Sequence, residues 1–296
     1  MSLKKNGLVK KRRIWELDFF RGLAILLVLV DHTMYDFTYV YTAWANSGVA
    51  FLEFLNKYGN LYMDSQIRFF WRPAFLFVFF CTSGLCTAFS RDNFLRGVKL
   101  VCVAIMVSII TFIAQKVSGE EFFILFGVLH CLAIIIIVYS LISKLITLLG
   151  RLIYKWRKKE YNEKVIKYIE SAVCFILAGV FLFINIKFNV SLNDVDSSFD
   201  TLQTESKILG MFFFVANWWT ADYFPLFPFI AFFFFGAALT PILYPNKKSL
   251  LPFLDGKWNK FFTVPGRYSL IIYLTGQIVS LSICSLLTLI LLGSFR

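Results

Sequence analysis

Runs of about 20 predominantly apolar residues recur along this chain, each long enough to cross roughly 30 Å of hydrocarbon as a helix. That feature leaves two folds open. Backbone in hydrocarbon must satisfy its own hydrogen bonds, so only helical bundles and closed barrels span a bilayer. A barrel would be written in roughly ten-residue alternating segments, and these runs do not alternate. With 16% charged residues, against about 25% in soluble domains, the chain reads as all-α: a polytopic transmembrane helical bundle of about seven spans. The spacing predicts them at Ile14–Tyr35, Phe69–Phe89, Val98–Val117, Phe122–Ser143, Val165–Ile186, Tyr223–Leu243 and Tyr268–Leu291. A shorter run, Ile208–Trp219, suits an interfacial or re-entrant piece.

The net charge of +12 invites a nucleic-acid partner, but its distribution excludes that class. With the amino terminus inside, 22 of the 30 lysines and arginines fall in inner segments, as the positive-inside rule requires. Two more, Arg21 and Arg72, lie within spans, and Asp194, Asp196, Asp200 and Glu205 gather in one outer loop. The expected topology is N-in, C-out, with a basic cytoplasmic segment over residues 1–13 and one transmembrane domain over 14–296. The start reads as a retained first span, because Glu16, Asp18, Arg21 and Asp31 interrupt any leader-like apolar core. The inner connection with Arg151, Lys155, Arg157, Lys158 and Lys159 suits an anionic leaflet. All six cysteines fall within expected spans, where they act as small apolar residues, and no ligand spacing suggests a metal. Phenylalanine runs such as Phe232–Phe235 read as lipid-facing.

Ionisable side chains inside a span are costly and therefore mark function by default. The first span concentrates them: Asp18, Arg21, Asp31 and His32. Eleven residues separate Arg21 from His32, about three helical turns, which puts them on one face roughly 16 Å apart along the axis. Asp18, three residues before Arg21, is placed to pair with it. Asp36, four after His32, is placed to orient the imidazole. The second histidine, His130 in the fourth span, falls in the same leaflet half and is a candidate for the same cavity or for a helix–helix hydrogen bond. Arg72 and Gln277 are weaker intramembrane candidates.

Several segments carry a resemblance. They are Arg13-Ile14-Trp15-Glu16-Leu17-Asp18-Phe19-Phe20-Arg21-Gly22-Leu23-Ala24-Ile25, Cys81-Thr82-Ser83-Gly84 with Ser90-Arg91, Phe126-Gly127-Val128-Leu129-His130, Phe224-Pro225-Leu226-Phe227-Pro228, and Gly266-Arg267-Tyr268-Ser269-Leu270-Ile271-Ile272-Tyr273-Leu274. In this order they resemble bacterial members of the heparan-α-glucosaminide N-acetyltransferase catalytic-domain-like family, related to the acyltransferase-3 proteins. The Arg-x10-His hallmark of the latter matches Arg21 to His32. Where many relatives carry His-Gln in the last span, this chain has Gly276-Gln277.

The resemblance implies a membrane-bound transferase with acetyl-CoA as co-substrate and a carbohydrate or glycoconjugate acceptor. It places His32 and Asp36 in catalysis, Arg21, Arg72 and Arg91 at the donor, and Asp18, Asp31, His130 and Gln277 in support. The expected location is a bacterial cell membrane. A homo-oligomer is left open, and so is the acceptor, since heparan is an animal glycan. The rival reading is a proton-coupled transporter of a small molecule or lipid-linked sugar, in which the same His and Asp relay protons. The lack of an internal repeat weighs against it. The charge asymmetry generates a direct test in a cysteine-free background. Cysteines placed at Ser191 or Asn193 should react with an impermeant maleimide on intact cells, and those at Lys158 or Asn246 only after permeabilisation. The reverse pattern would invert the topology.

Overall fold

A computed structural model of the chain describes residues 14–118, 123–187, 207–213 and 222–293. The described residues are helical and contain no strand. The helices are α1 (Trp15–Tyr35), α2 (Ala50–Met63), α3 (Gln66–Leu85), α4 (Asn93–Ser118), α5 (Val128–Trp156), α6 (Glu163–Lys187), α7 (Lys207–Phe212), α8 (Phe229–Leu243), α9 (Lys260–Arg267) and α10 (Ser269–Leu292). Five of them, α3, α4, α5, α6 and α10, are long and apolar enough to cross a membrane. Every expected span has its helix, but α1 carries Glu16, Asp18, Arg21 and Asp31 along its length and α8 spans only 15 residues.

Boundaries shift where local chemistry competes with hydropathy. α5 begins at Val128, six residues later than expected, because Gly127 starts it as an extended cap. It then runs on to Trp156, so Arg151 and Lys155 of the basic connection are helical. α8 starts only after Phe224–Pro228, where the two prolines lack amide donors and the amides of Leu226 and Phe227 bond to Met211 and Phe212 instead. The apolar piece from Ile208 contains α7, while residues 214–219 lie outside the described residues. So do the basic segment 1–13 and the acidic cluster Asp194–Glu205. Composition alone did not reveal α2 or α9.

Side-chain pairings fix the direction of each helix. α1 and α10 run parallel: Arg21 meets Ser269, Asp36 meets Gln277 and Ser280, and Trp44 beyond α1 meets Thr288. α3 opposes α1, with Arg68 at its start bonded to Asp31 near the end of α1. α3 and α8 are parallel, Phe80 stacking on Phe229 and Thr240 reaching the Leu85 carbonyl. α4 opposes α5 and α6 opposes α8, so α1, α3, α4, α5, α6, α8 and α10 alternate in direction along the chain.

The centre of the bundle is α8. Phe229, Phe233 and Phe234 are among the most deeply buried side chains, packed by α3, α5 and α6. This corrects the lipid-facing reading of Phe232–Phe235, since hydropathy does not distinguish protein from lipid as the apolar neighbour.

Without a hydrophobic drive between helices, close approach relies on small residues. Two reciprocal glycine crossings supply it. A side chain on Gly22 would overlap the Phe262 carbonyl, and one on Gly266 the Asp18 carbonyl, so α1 and α9 touch backbone to backbone. Gly84 and Gly236 do the same for α3 and α8 against Phe233 and Cys81. Gly179 in α6 has nothing within 4 Å of where a Cβ would stand. Gly84→Ala or Gly236→Ala should therefore destabilise by about 1–3 kcal/mol through overpacking. Gly179→Ala should be neutral or gain up to about 1 kcal/mol of helix propensity. Thermal unfolding in detergent reads the contrast; equal midpoints for all three would remove the crossing argument.

Candidate functional site

Arg21 and His32 do share a face of α1, and that face lines a single cavity of about 590 Å³. Its walls come from α1, α3, α4, α5, α10 and the segment leading into α8. The middle is apolar, formed by Ile25, Val28, Phe75, Leu76, Phe79 and Leu132. The two ends are polar and different.

One end is basic. Arg21, Arg91, Arg96 and Lys99 line it, with Ser90, Asp92 and Ser269. Asp92 is exposed, and its Oδ1 accepts the Leu95 amide at 3.1 Å, capping α4. That backbone bond is the main reason its carboxyl is held below the usual carboxylate range. One carboxylate therefore faces four cations. Arg21 Nη2 donates to Ser269 Oγ at 2.7 Å, while its buried Nε has no partner among the described residues. A cluster of this kind suits a multiply charged anion such as a nucleotide phosphate.

The other end holds His32, Asp31, Arg72, Asp222 and Tyr273. Asp31 is the hub of a satisfied ion cluster. Its Oδ1 accepts from Arg68 Nε at 2.9 Å and Tyr62 OH at 2.9 Å, and its Oδ2 faces Arg72 Nε at 3.5 Å. Burial, with the Asp31 charge second, pushes the Tyr62 phenol up to about 12, so it remains a proton donor. Arg72 thus belongs with His32, at the opposite end from Arg21 and Arg91, and the donor grouping of these three arginines divides between the two ends. No hydrogen bond to the His32 ring forms among the described residues, and the imidazole borders open cavity.

Asp36 follows α1 in a π-helical turn and is fully buried. The hydrogen bond expected from it to His32 is not formed. Its oxygens take Gln277 Nε2 and Ser280 Oγ, both at 2.8 Å, because a buried carboxylate goes to the nearest donors. Asp36 remains near enough to His32 for their charges to interact. Gln277 thereby ties α10 to the end of α1. Asp18 Oδ2 accepts from Arg267 Nε at 3.2 Å, joining α1 to α9.

His130 does not line the cavity. Its Nδ1 accepts the Gly127 amide at 3.3 Å, which leaves Nε2 to carry the proton toward Ser108 Oγ at 3.2 Å. Ser108 in turn donates to the Ile124 carbonyl at 2.7 Å. One ring nitrogen caps the start of α5 and the other holds α4 against it.

Sequence reasoning missed Arg96, Lys99, Asp222, Tyr273 and Ser269 as site residues. Arg96 and Lys99 were readable in principle, being three apart on one helical face just after Arg91. Asp222 and Tyr273 were not, since Asp222 stands just before an apolar run, Tyr273 lies inside another, and they meet only in the folded chain.

The family model described as heparan-alpha-glucosaminide N-acetyltransferase, catalytic, matches residues 13–155 and 163–278. No curated protein and no solved structure matches the chain. The match takes in α1, with its Arg21–His32 face, and every other wall of the cavity. This integral membrane protein belongs to the heparan-α-glucosaminide N-acetyltransferase catalytic family and is a membrane acetyltransferase.

Proposed function

We propose that the protein moves an acetyl group from cytoplasmic acetyl-CoA to an amine or hydroxyl of a glycan or glycoconjugate at the outer side of a bacterial cell membrane. The observation that carries this reading is the cavity, basic at one end and bearing an uncommitted imidazole at the other. Its basic mouth belongs to segments that charge asymmetry assigns to the cytoplasm, and seven alternating helices suit an inside amino terminus and an outside carboxyl terminus.

The donor's phosphates fit Arg21, Arg91, Arg96 and Lys99, with the pantetheine arm along the apolar middle. The roughly 16 Å between Arg21 and His32 along α1 gives the length of that path. At the far end His32 acts as general base. It takes a proton from the acceptor nitrogen or oxygen as that atom attacks the thioester carbon. A new N–C or O–C bond forms, the C–S bond breaks, and the imidazolium returns its proton to the CoA thiolate. Asp36 favours the imidazolium through charge, and Arg72 stands beside it to meet charge developing on the thioester oxygen.

The test uses purified protein with acetyl-CoA and glucosamine, reading CoA release by mass spectrometry. His32→Ala should lower kcat by about 10²–10⁴-fold while keeping its helical circular dichroism. Turnover at the parent's rate would make His32 structural. Arg91→Ala and Arg21→Lys should instead raise KM for acetyl-CoA with kcat little changed, because they weaken binding shared by ground and transition states. Arg21→Lys is the sharper probe, since lysine keeps the charge but loses the planar fork. Unaltered KM with a lower melting temperature would assign Arg21 to the Ser269 contact alone.

A further inference from the structure

Three carboxylates lie near His32: Asp31 on its own helix and Asp222 from the segment before α8 line the cavity with it, while Asp36, just beyond α1, is buried outside the lining. Arg72 on α3 and Tyr273 on α10 complete the ionisable groups lining that end of the cavity. Two of the carboxylates are committed elsewhere. Asp31 spends both oxygens on Arg68, Tyr62 and Arg72. Asp36 spends both on Gln277 and Ser280.

Asp222 differs. Its Oδ2 is pinned by the Tyr273 hydroxyl and by the Val128 amide at 3.4 Å, in the first turn of α5. Its Oδ1 has no hydrogen bond among the described residues. The backbone at Asp222 is left-handed, with φ of 50°. A non-glycine residue rarely adopts that conformation unless its surroundings hold it there. The side chain lines the cavity with His32 and is close enough for the His32 and Arg72 charges to act on it.

Resting on the reading of His32 as the base, we infer that Asp222 is its positioning residue, held by Tyr273 and the start of α5 so that its second oxygen, which shares the cavity with the ring but is not bonded to it in this structure, takes the imidazole N–H in the working enzyme and fixes its tautomer and tilt. Residues on four separate elements are needed to make this arrangement. α1 brings the base, α5 an amide, α10 a hydroxyl, and the turn before α8 the carboxylate. A carboxylate so placed acts on the proton-transfer step and not on donor binding. Its loss therefore appears in kcat, in the way that an unoriented histidine loses its productive tautomer.

The test has two arms. In the kinetic arm, with acetyl-CoA and glucosamine, Asp222→Asn should lower kcat by about 10²–10⁴-fold with KM for acetyl-CoA unchanged. Asp222→Glu should restore part of the rate. The second arm needs no turnover. With only two histidines in the chain, ¹⁵N-histidine labelling in bilayers resolves both rings. His32 should show one protonated and one bare nitrogen in the parent and in Asp222→Glu, but averaged shifts in Asp222→Asn. Should Asp222→Asn fail to fold, Tyr273→Phe serves, since it frees the carboxylate and should also average the ring. A fixed His32 tautomer in Asp222→Asn or in Tyr273→Phe would overturn the inference, as would a loss in KM alone. An averaged ring in a protein that shows no acetyl transfer would uphold the pairing while removing the proposed function.

Discussion

Everything in this bundle follows from packing a charged helix among apolar ones in a membrane protein. A charge at the bilayer centre costs about 2.5–3.5 kcal/mol by insertion scales, and α1 carries Asp18, Arg21 and Asp31 with Asp36 directly after it. None faces lipid alone. Arg267 answers Asp18, Ser269 answers Arg21, Arg68 and Arg72 answer Asp31, and Gln277 with Ser280 answer Asp36. α1 is thereby bound to α3, α9 and α10, and the groups that must avoid hydrocarbon become the lining of a cavity. The cost of placing charge in the membrane and the making of a site are one arrangement.

The cavity then separates two tasks along a single helical stripe. In the proposed function the basic end answers the negative charge of a donor, while the far end presents an imidazole with no hydrogen bond among the described residues. Between them the wall is apolar, which lowers the local dielectric and strengthens the few polar contacts at the His32 end. The two histidines show how context decides role. His130, with the Gly127 cap amide on one nitrogen and Ser108 of α4 on the other, is fully used in structure, whereas the His32 ring has no hydrogen bond among the described residues.

Much of this was legible in the sequence where a short-range period carried it. The Arg21–His32 stripe, the helical class and the expected spans follow from 3.6-residue geometry and hydropathy. The family resemblance read from short segments agrees with a match over most of the chain. What escaped depends on partners far apart in sequence. The burial of α8 could not be read, because Phe232–Phe235 is apolar on every side whatever surrounds it. Asp36 looked committed to His32 by an i, i+4 spacing, yet two donors 241 and 244 positions away claim it. Asp222 gave no local signal, and its neighbours Val128 and Tyr273 are distant by 94 and 51 positions.

The glycine contact between α1 and α9 has a mechanical side. Asp18–Arg267, Gly22–Gly266 and Arg21–Ser269 clamp α1 to the α9–α10 corner within one turn of the basic mouth. Backbone pressed on backbone has no side-chain cushion to compress. That wall is rigid by construction, while α4, which packs chiefly on α5, carries Arg96 and Lys99 across from it. The mouth is a vice with one fixed jaw, so any widening of it falls to the jaw that bears those two cations.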